Sequence, residues 1–126
     1  MELNEAKKIA DAFNNKYEKL WNENKIQELS ELYTNKSILV GYETVEGRMK
    51  ISQLLQTIID QGWTKIEIQT VKVELLDDVI LIANEYQAIG SGENKGEIMK
   101  AKSSQVLTKL NNSWLTAMHT TTEKRK

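Results

Sequence analysis

The spacing of apolar residues changes at Gly62, and the change divides the chain into a helical first half and a β-rich second half. Before it, Ile9, Phe13, Tyr17, Leu20 and Trp21 recur at helical intervals, with Lys7, Lys8, Asn14, Asn15 and Lys19 mostly outside the stripe. This predicts an amphipathic helix over 5–24, with Asn4 as its N-cap. A polar break leads to a short second helix over 26–33, with Ile26, Leu29, Leu32 and Tyr33 on one side. Ile38-Leu39-Val40 then reads as a short strand. The helical stripe returns in Ile51, Leu54, Leu55, Ile58 and Ile59 for a third helix over 48–61, and Gly62 suits a left-handed stop.

Beyond Gly62 the period is two. Ile66 and Ile68 share one parity, and Val71, Val73 and Leu75 share the other, so a β-bulge is expected near Gln69-Thr70. Asp77-Asp78 forms a turn. A strongly apolar strand follows over 79–89, then a flexible loop over 90–96 and a long strand over 97–110. Asn111-Asn112 forms a turn able to hold positive φ, and the last strand covers 113–122. Residues 123–126 read as a frayed tail. The order is α-α-β-α-β-β-β-β in one domain over 1–126. It is an α+β class in which three helices pack on one face of a strongly curved mixed or antiparallel sheet, because their stripes cannot be buried on one another alone.

Composition narrows the function classes. The chain has 126 residues, 40% hydrophobic and 28% charged, which is ordinary globular usage. Seventeen Lys and Arg face eighteen Asp and Glu, a balance that argues against a nucleic-acid partner. With no cysteine and a single histidine, disulfides, thiolate metal sites and multi-histidine zinc sites are excluded within one chain, and no cofactor is expected. No apolar run approaches the ~20 residues that span a bilayer, so no membrane partner is expected. Residues 1–5 lack the features of a signal peptide, which predicts a cytoplasmic protein if Met1 is the natural start.

Several local features carry a resemblance. The first helix ends Leu20-Trp21-Asn22-Glu23-Asn24, Leu29-Ser30-Glu31-Leu32-Tyr33 follows, and Gly47 opens the third helix. The chain closes with the strand pair Val106 to Trp114 and Ala117 to Thr121. With the element order, these cues resemble the nuclear-transport-factor-2-like (NTF2-like, or SnoaL-like) superfamily over nearly the whole chain. The resemblance implies a cone with a ligand pocket at its mouth, and a homodimer. It leaves function open, since the superfamily holds ketosteroid isomerases, cyclases, dehydratases, binders and the kinase association domain. Ketosteroid isomerases need a tyrosine on the first helix, a carboxylate base at the end of the first strand and a protonated aspartic acid on a late strand. The tyrosine matches Tyr17, but Gly41 and Ala101 stand where the acids belong, so steroid-isomerase activity is not expected.

The expected pocket lining is Tyr17, Trp21, Tyr42, Trp63, Tyr86, Gln105 and Met118. The same aromatics also suit a filled core. His119 titrates near neutrality and could move a proton. Strict alternation from Trp114 sets it on the face opposite Met118, as a dimer-surface residue, and a bulge would reverse that assignment. Glu85 and Glu43 are the carboxylates expected nearest a cavity. Glu85 could serve as a base if buried, or pair with Lys100 or Lys102 across the sheet. The leading expectation is a homodimeric binder of a small, partly apolar molecule, whose sheet face carries Val71, Val73, Ile89 and Thr108 to a partner. The alternatives are an isomerase, cyclase or dehydratase using Tyr17 with His119 or Glu85, and an assembly module.

Overall fold

In the computed structural model, residues 1–123 are described. Residues 124–126, the rest of the expected tail, lie outside the described residues, and Glu123 closes the last strand instead. Helix α1 (Leu3–Asn22) buries Phe13, Tyr17, Leu20 and Trp21 of the expected stripe, together with Ala6, Ala10 and Asn14, which the stripe left out, while Ile9 is half-buried. Its N-cap is Glu2 rather than Asn4. Helix α2 (Ile26–Ser30) is one short turn, and the chain then enters β1 (Tyr33–Val40). Tyr33 is therefore a strand residue, not the end of a helix. A short strand, β2 (Thr44–Glu46), folds back on β1 before α3 (Arg48–Asp60). The long strands β3 (Trp63–Leu76), β4 (Val79–Gly90), β5 (Ile98–Leu110) and β6 (Ser113–Glu123) complete the order.

The six strands form one open mixed sheet in the order β2-β1-β6-β5-β4-β3. All neighbours are antiparallel except β1 and β6, which run parallel. Asn111 and Asn112, at φ 50° and 66°, make the tight β5–β6 turn that asparagine tolerates. Gly62 takes φ 106° after α3, a left-handed conformation that costs a glycine little.

Of the register shifts in the sheet, two bulges, one in β3 and one in β6, decide which side chains face inward near the site. In β3, Thr70 pairs with Asn84 and Lys72 with Ala83, so Val71 is the extra residue. Val71 projects out, and inward alternation resumes at Val73, which is buried and thus not on the outer face. In β6, Met118 pairs with Val106 and Thr116 with Leu107, so Ala117 has no partner on β5. Each bulge adds one residue to one strand and bends it locally.

Strand β3 lies at the sheet edge, and α1 covers it. Asn14, Glu18 and Asn22 stand four apart on the helix and meet Thr70, Ile68 and Ile66, two apart on the strand. The spacing matches because four helical residues rise about 6 Å and two strand residues slightly more. Asn22 accepts from the Ile66 N–H at 2.7 Å and donates to the Ile66 carbonyl at 3.1 Å. Glu18 accepts from the Ile68 N–H at 3.0 Å, and the Asn14 amide donates to Thr70 Oγ1 at 2.9 Å. Backbone groups that would otherwise template another strand are thereby satisfied. Among the described residues, no helix is long and apolar enough to cross a membrane.

Candidate functional site

Strand register builds the site's wall in two rows on the inner sheet face. One row runs Ile82–Gln105–His119–Leu39 across β4, β5, β6 and β1. The next runs Thr70–Asn84–Ser103–Thr121 across β3 to β6 and is polar throughout. Asn14 of α1 lies over this second row. Its amide NH2 also donates to Asn84 Oδ1 at 2.8 Å, and Asn84 donates to Ser103 Oγ at 3.3 Å. Both donors of Asn14 are used, so its orientation is fixed, and its buried Oδ1 has no hydrogen-bond partner among the described residues.

Between these rows and the helices lies a cavity of about 90 Å³. Tyr17, Trp21, Tyr86, Ser103, Gln105, His119 and Thr121 supply its aromatic and polar lining. The remainder comes from Leu39, Leu55, Ile58, Ile66, Ile68, Ala88 and Met99. Its volume is below the ~150 Å³ of an engineered cavity that admits benzene. Among the described residues no carboxylate, lysine or arginine lines it, and no group of three or more potential metal ligands comes together anywhere.

Beside it, three side chains join in a buried chain, of which Tyr17 and His119 line the cavity and Tyr33 does not. Tyr17 Oη lies 2.7 Å from Tyr33 Oη, which lies 2.9 Å from His119 Nδ1. Tyr33 is fully buried, and its carbonyl accepts from Arg48 Nε at 3.0 Å and Nη2 at 2.6 Å, which ties the start of α3 to the start of β1. Trp21 stacks on Tyr17 and donates from Nε1 to the Trp63 carbonyl at 3.0 Å. Burial lowers the His119 pKa to about 4, so the ring is neutral at pH 7. Burial also pushes both phenols up, so both stay protonated.

A neutral chain of this kind has two proton orderings. In one, Tyr17 donates to Tyr33, Tyr33 donates to Nδ1, and Nε2 carries the proton. In the other, Nδ1–H donates to Tyr33, Tyr33 donates to Tyr17, and the Tyr17 proton is free to point elsewhere. The ends swap roles together.

The expected site residues divide cleanly. Tyr17, Trp21, Tyr86, Gln105 and His119 line the cavity. Trp63 contributes a carbonyl and packs against the core but is not in the lining. Tyr42 is 81% exposed in the β1–β2 connection, and Glu43 beside it is exposed too. Met118 is 41% exposed on the outer face, because the Ala117 bulge turns Met118 out and His119 in, against the strict alternation expected. Glu85 is exposed on the outer face opposite Lys102, outside the cavity. Tyr33 was missed because it also fits the α2 stripe. The signal against that reading was Tyr33-Thr34, two strand-favouring residues, ahead of Ile38-Leu39-Val40.

No protein-family model matches the chain, and no curated protein matches it in sequence. Solved structures do. A ketosteroid isomerase-like protein from Erwinia carotovora atroseptica superposes with a TM-score of 0.78 at 16% identity, covering 92% of this chain and 94% of that one. An NTF2-like protein with a cystatin-like fold from Novosphingobium aromaticivorans gives 0.81 at 13%, covering 96% and 83%. The chain has the NTF2-like, cystatin-like fold. A Xanthomonas campestris protein named for a calcium/calmodulin-dependent protein kinase II association domain gives 0.79 at 18%, covering 93% and 86%. At these identities the likeness establishes the NTF2-like fold alone. Within that fold, Gly41 stands beside the cavity rim: a Cβ there would lie 2.9 Å from Thr121 Oγ1.

Proposed function

We propose that the protein binds a small, partly apolar molecule in this cavity and works as a homodimer. The observation that carries the binding reading is the lining itself. Apolar side chains from α3, β1, β3, β4 and β5 surround a patch of polar ends from Tyr17, Ser103, Gln105 and His119, with no formal charge among the described residues. A preformed apolar hollow with a few convergent polar groups is what small-molecule recognition requires. Thermal-shift screening against small neutral molecules tests it. Stabilisation that rises with concentration and disappears on Gln105→Leu supports the reading, and no shift with any compound removes it.

One observation favours a second reading, an enzyme of the isomerase, cyclase or dehydratase kind. The Tyr17–Tyr33–His119 chain could accept a proton at Nε2 and deliver one from Tyr17, with net charge unchanged when uptake and release occur together. Glu85 has no part in this version, since it lies on the other face. A four-ring steroid is too large for about 90 Å³, and among the described residues no carboxylate lines the cavity. A Δ5-ketosteroid should therefore give no conjugated enone. Solvent deuterium washing into a small enolisable ketone faster with wild type than with His119→Gln would favour the enzyme.

A further inference from the structure

We propose that the cavity's ligand is a small neutral molecule that donates one hydrogen bond and accepts another, of the lactam or protic-amide class. This rests on the binding reading above. The argument starts from Tyr33, whose hydroxyl is fully occupied by Tyr17 and His119 and whose side chain is fully buried. Tyr33 therefore does not meet a ligand; it couples the two residues that do. Tyr17 and His119 both line the cavity, and Nδ1 is bonded to Tyr33, which leaves Nε2 as the ring nitrogen for a ligand.

The coupling fixes what the two ends offer. When Nε2 carries the proton, Tyr17 Oη is the acceptor. When Nε2 is bare, Tyr17 is the donor. In either ordering these two coupled ends present one donor and one acceptor, never two of a kind. A ligand with only a carbonyl leaves one end unmatched, and an unmatched polar end on a buried side chain costs affinity. A carboxylate would need donors at both ends and hence an added proton on a buried imidazole, with no lysine or arginine in the lining among the described residues to help. An undissociated carboxylic acid has the right pattern, but near pH 7 it is ionised, which favours the amide. The Gln105 carboxamide supports the same choice. Its Oε1 accepts from Thr116 Oγ1 at 2.7 Å, which leaves its NH2 as a fixed further donor for a carbonyl oxygen. The volume of about 90 Å³ limits the ligand to roughly a five-membered ring or its open-chain equivalent.

A matched ring series tests this. Cyclopentane, cyclopentanone and 2-pyrrolidinone have nearly one shape, with neither group, an acceptor only, and both donor and acceptor. Binding is followed by NMR titration of the wild-type protein. The expected result is that 2-pyrrolidinone binds about tenfold more tightly than cyclopentanone, and that Tyr17→Phe reduces that preference to near parity while cyclopentanone still binds. Equal or tighter binding of cyclopentanone to wild type overturns the inference and leaves the binding reading standing. A preference that persists in Tyr17→Phe also overturns it. Failure of all three rings to bind overturns the inference as well, while the binding reading falls only if the wider thermal-shift screen also finds nothing. The wild-type comparison decides the matter by itself if Tyr17→Phe does not fold.

Discussion

Gln105 and His119 are direct partners across β5 and β6, both buried and both turned into the cavity wall. The pairing places a fixed amide beside an imidazole. It exists because Ala117 adds a residue to β6 just before His119, so the strand's two inward positions before and after the bulge are Thr116 and His119. The chemistry available to the cavity thus depends on one unpaired alanine that takes no part in it.

His119 makes stability depend on pH. Its pKa falls from the ordinary 6.5 to about 4 because burial penalises the charged ring. Between those values the unfolded chain binds a proton that the folded chain does not. Stability therefore rises with pH through this window and is lost as pH falls from about 6.5 toward 4. Carboxylates titrate over part of the same range, so the informative quantity is the difference from His119→Gln. Urea unfolding at pH 7 and pH 5 should show wild type losing about 2 kcal/mol more than the variant. Equal losses would show that His119 ionises normally in the folded protein.

Tyr33→Phe should destabilise the fold by about 1–3 kcal/mol, because it strips one partner from each of two buried groups. Tyr17 Oη and His119 Nδ1 would both face a ring edge instead of a hydroxyl. The shape of the core is kept, so the loss is assignable to the hydroxyl. Chemical denaturation at pH 7 measures it, and a change within 0.5 kcal/mol, about the size seen for surface substitutions, would mean that the chain contributes nothing net.

The large divisions of the fold were legible in the sequence because burial imposes a period. The α1 and α3 stripes, the change at Gly62 and the asparagine turn each follow from local spacing or local backbone chemistry. What stayed hidden was set by partners distant in sequence. Tyr33 satisfies both a helical and a strand pattern, and only its bonds to Tyr17 and His119 decide between them. Strand β2 has three residues with one half-buried apolar side chain, Val45, too short to show alternation. The bulge at Val71 announced itself through a parity switch, although one residue later than expected. The bulge at Ala117 did not, because Thr116-Ala117-Met118 reads as ordinary alternation. The candidate site was legible in the same measure. Tyr17 and Trp21 follow from the α1 stripe, whereas the inward turn of His119 needed the bulge and the exposure of Tyr42 needed the β1–β2 connection.

Asn22 should prove more important than its position at a helix end suggests. Its carboxamide matches the N–H and C=O of Ile66 on the edge of β3 that has no neighbouring strand, as such a strand would. Asn22→Ala should cost about 1–3 kcal/mol by leaving both backbone groups without that partner. Asn22→Asp should not rescue it, since a carboxylate keeps the acceptor for the N–H but repels the carbonyl. Denaturation midpoints of the two variants give the comparison, and an Asp variant as stable as wild type would assign the Asn22 effect to packing.

The outer face of the sheet carries the homodimer reading. Across four strands, Leu81, Val106, Met118 and Ile38 fall on one register row, with Ala83, Ser104 and Thr120 on the next. Met118 and Ile38 are exposed in the single chain, although a monomer gains nothing by presenting them to water. Charged residues flank the row, with Glu85 opposite Lys102 two positions further along. A two-fold partner would lay the same row against itself, as closed symmetric pairs do. Val106→Lys sets a cation at the centre of that row without touching the inner face. Sedimentation should show wild type as a dimer and Val106→Lys as a folded monomer, with the matched-ring binding unchanged. A wild-type monomer at high concentration, or a Val106→Lys dimer of undiminished affinity, would place any self-association elsewhere on the molecule.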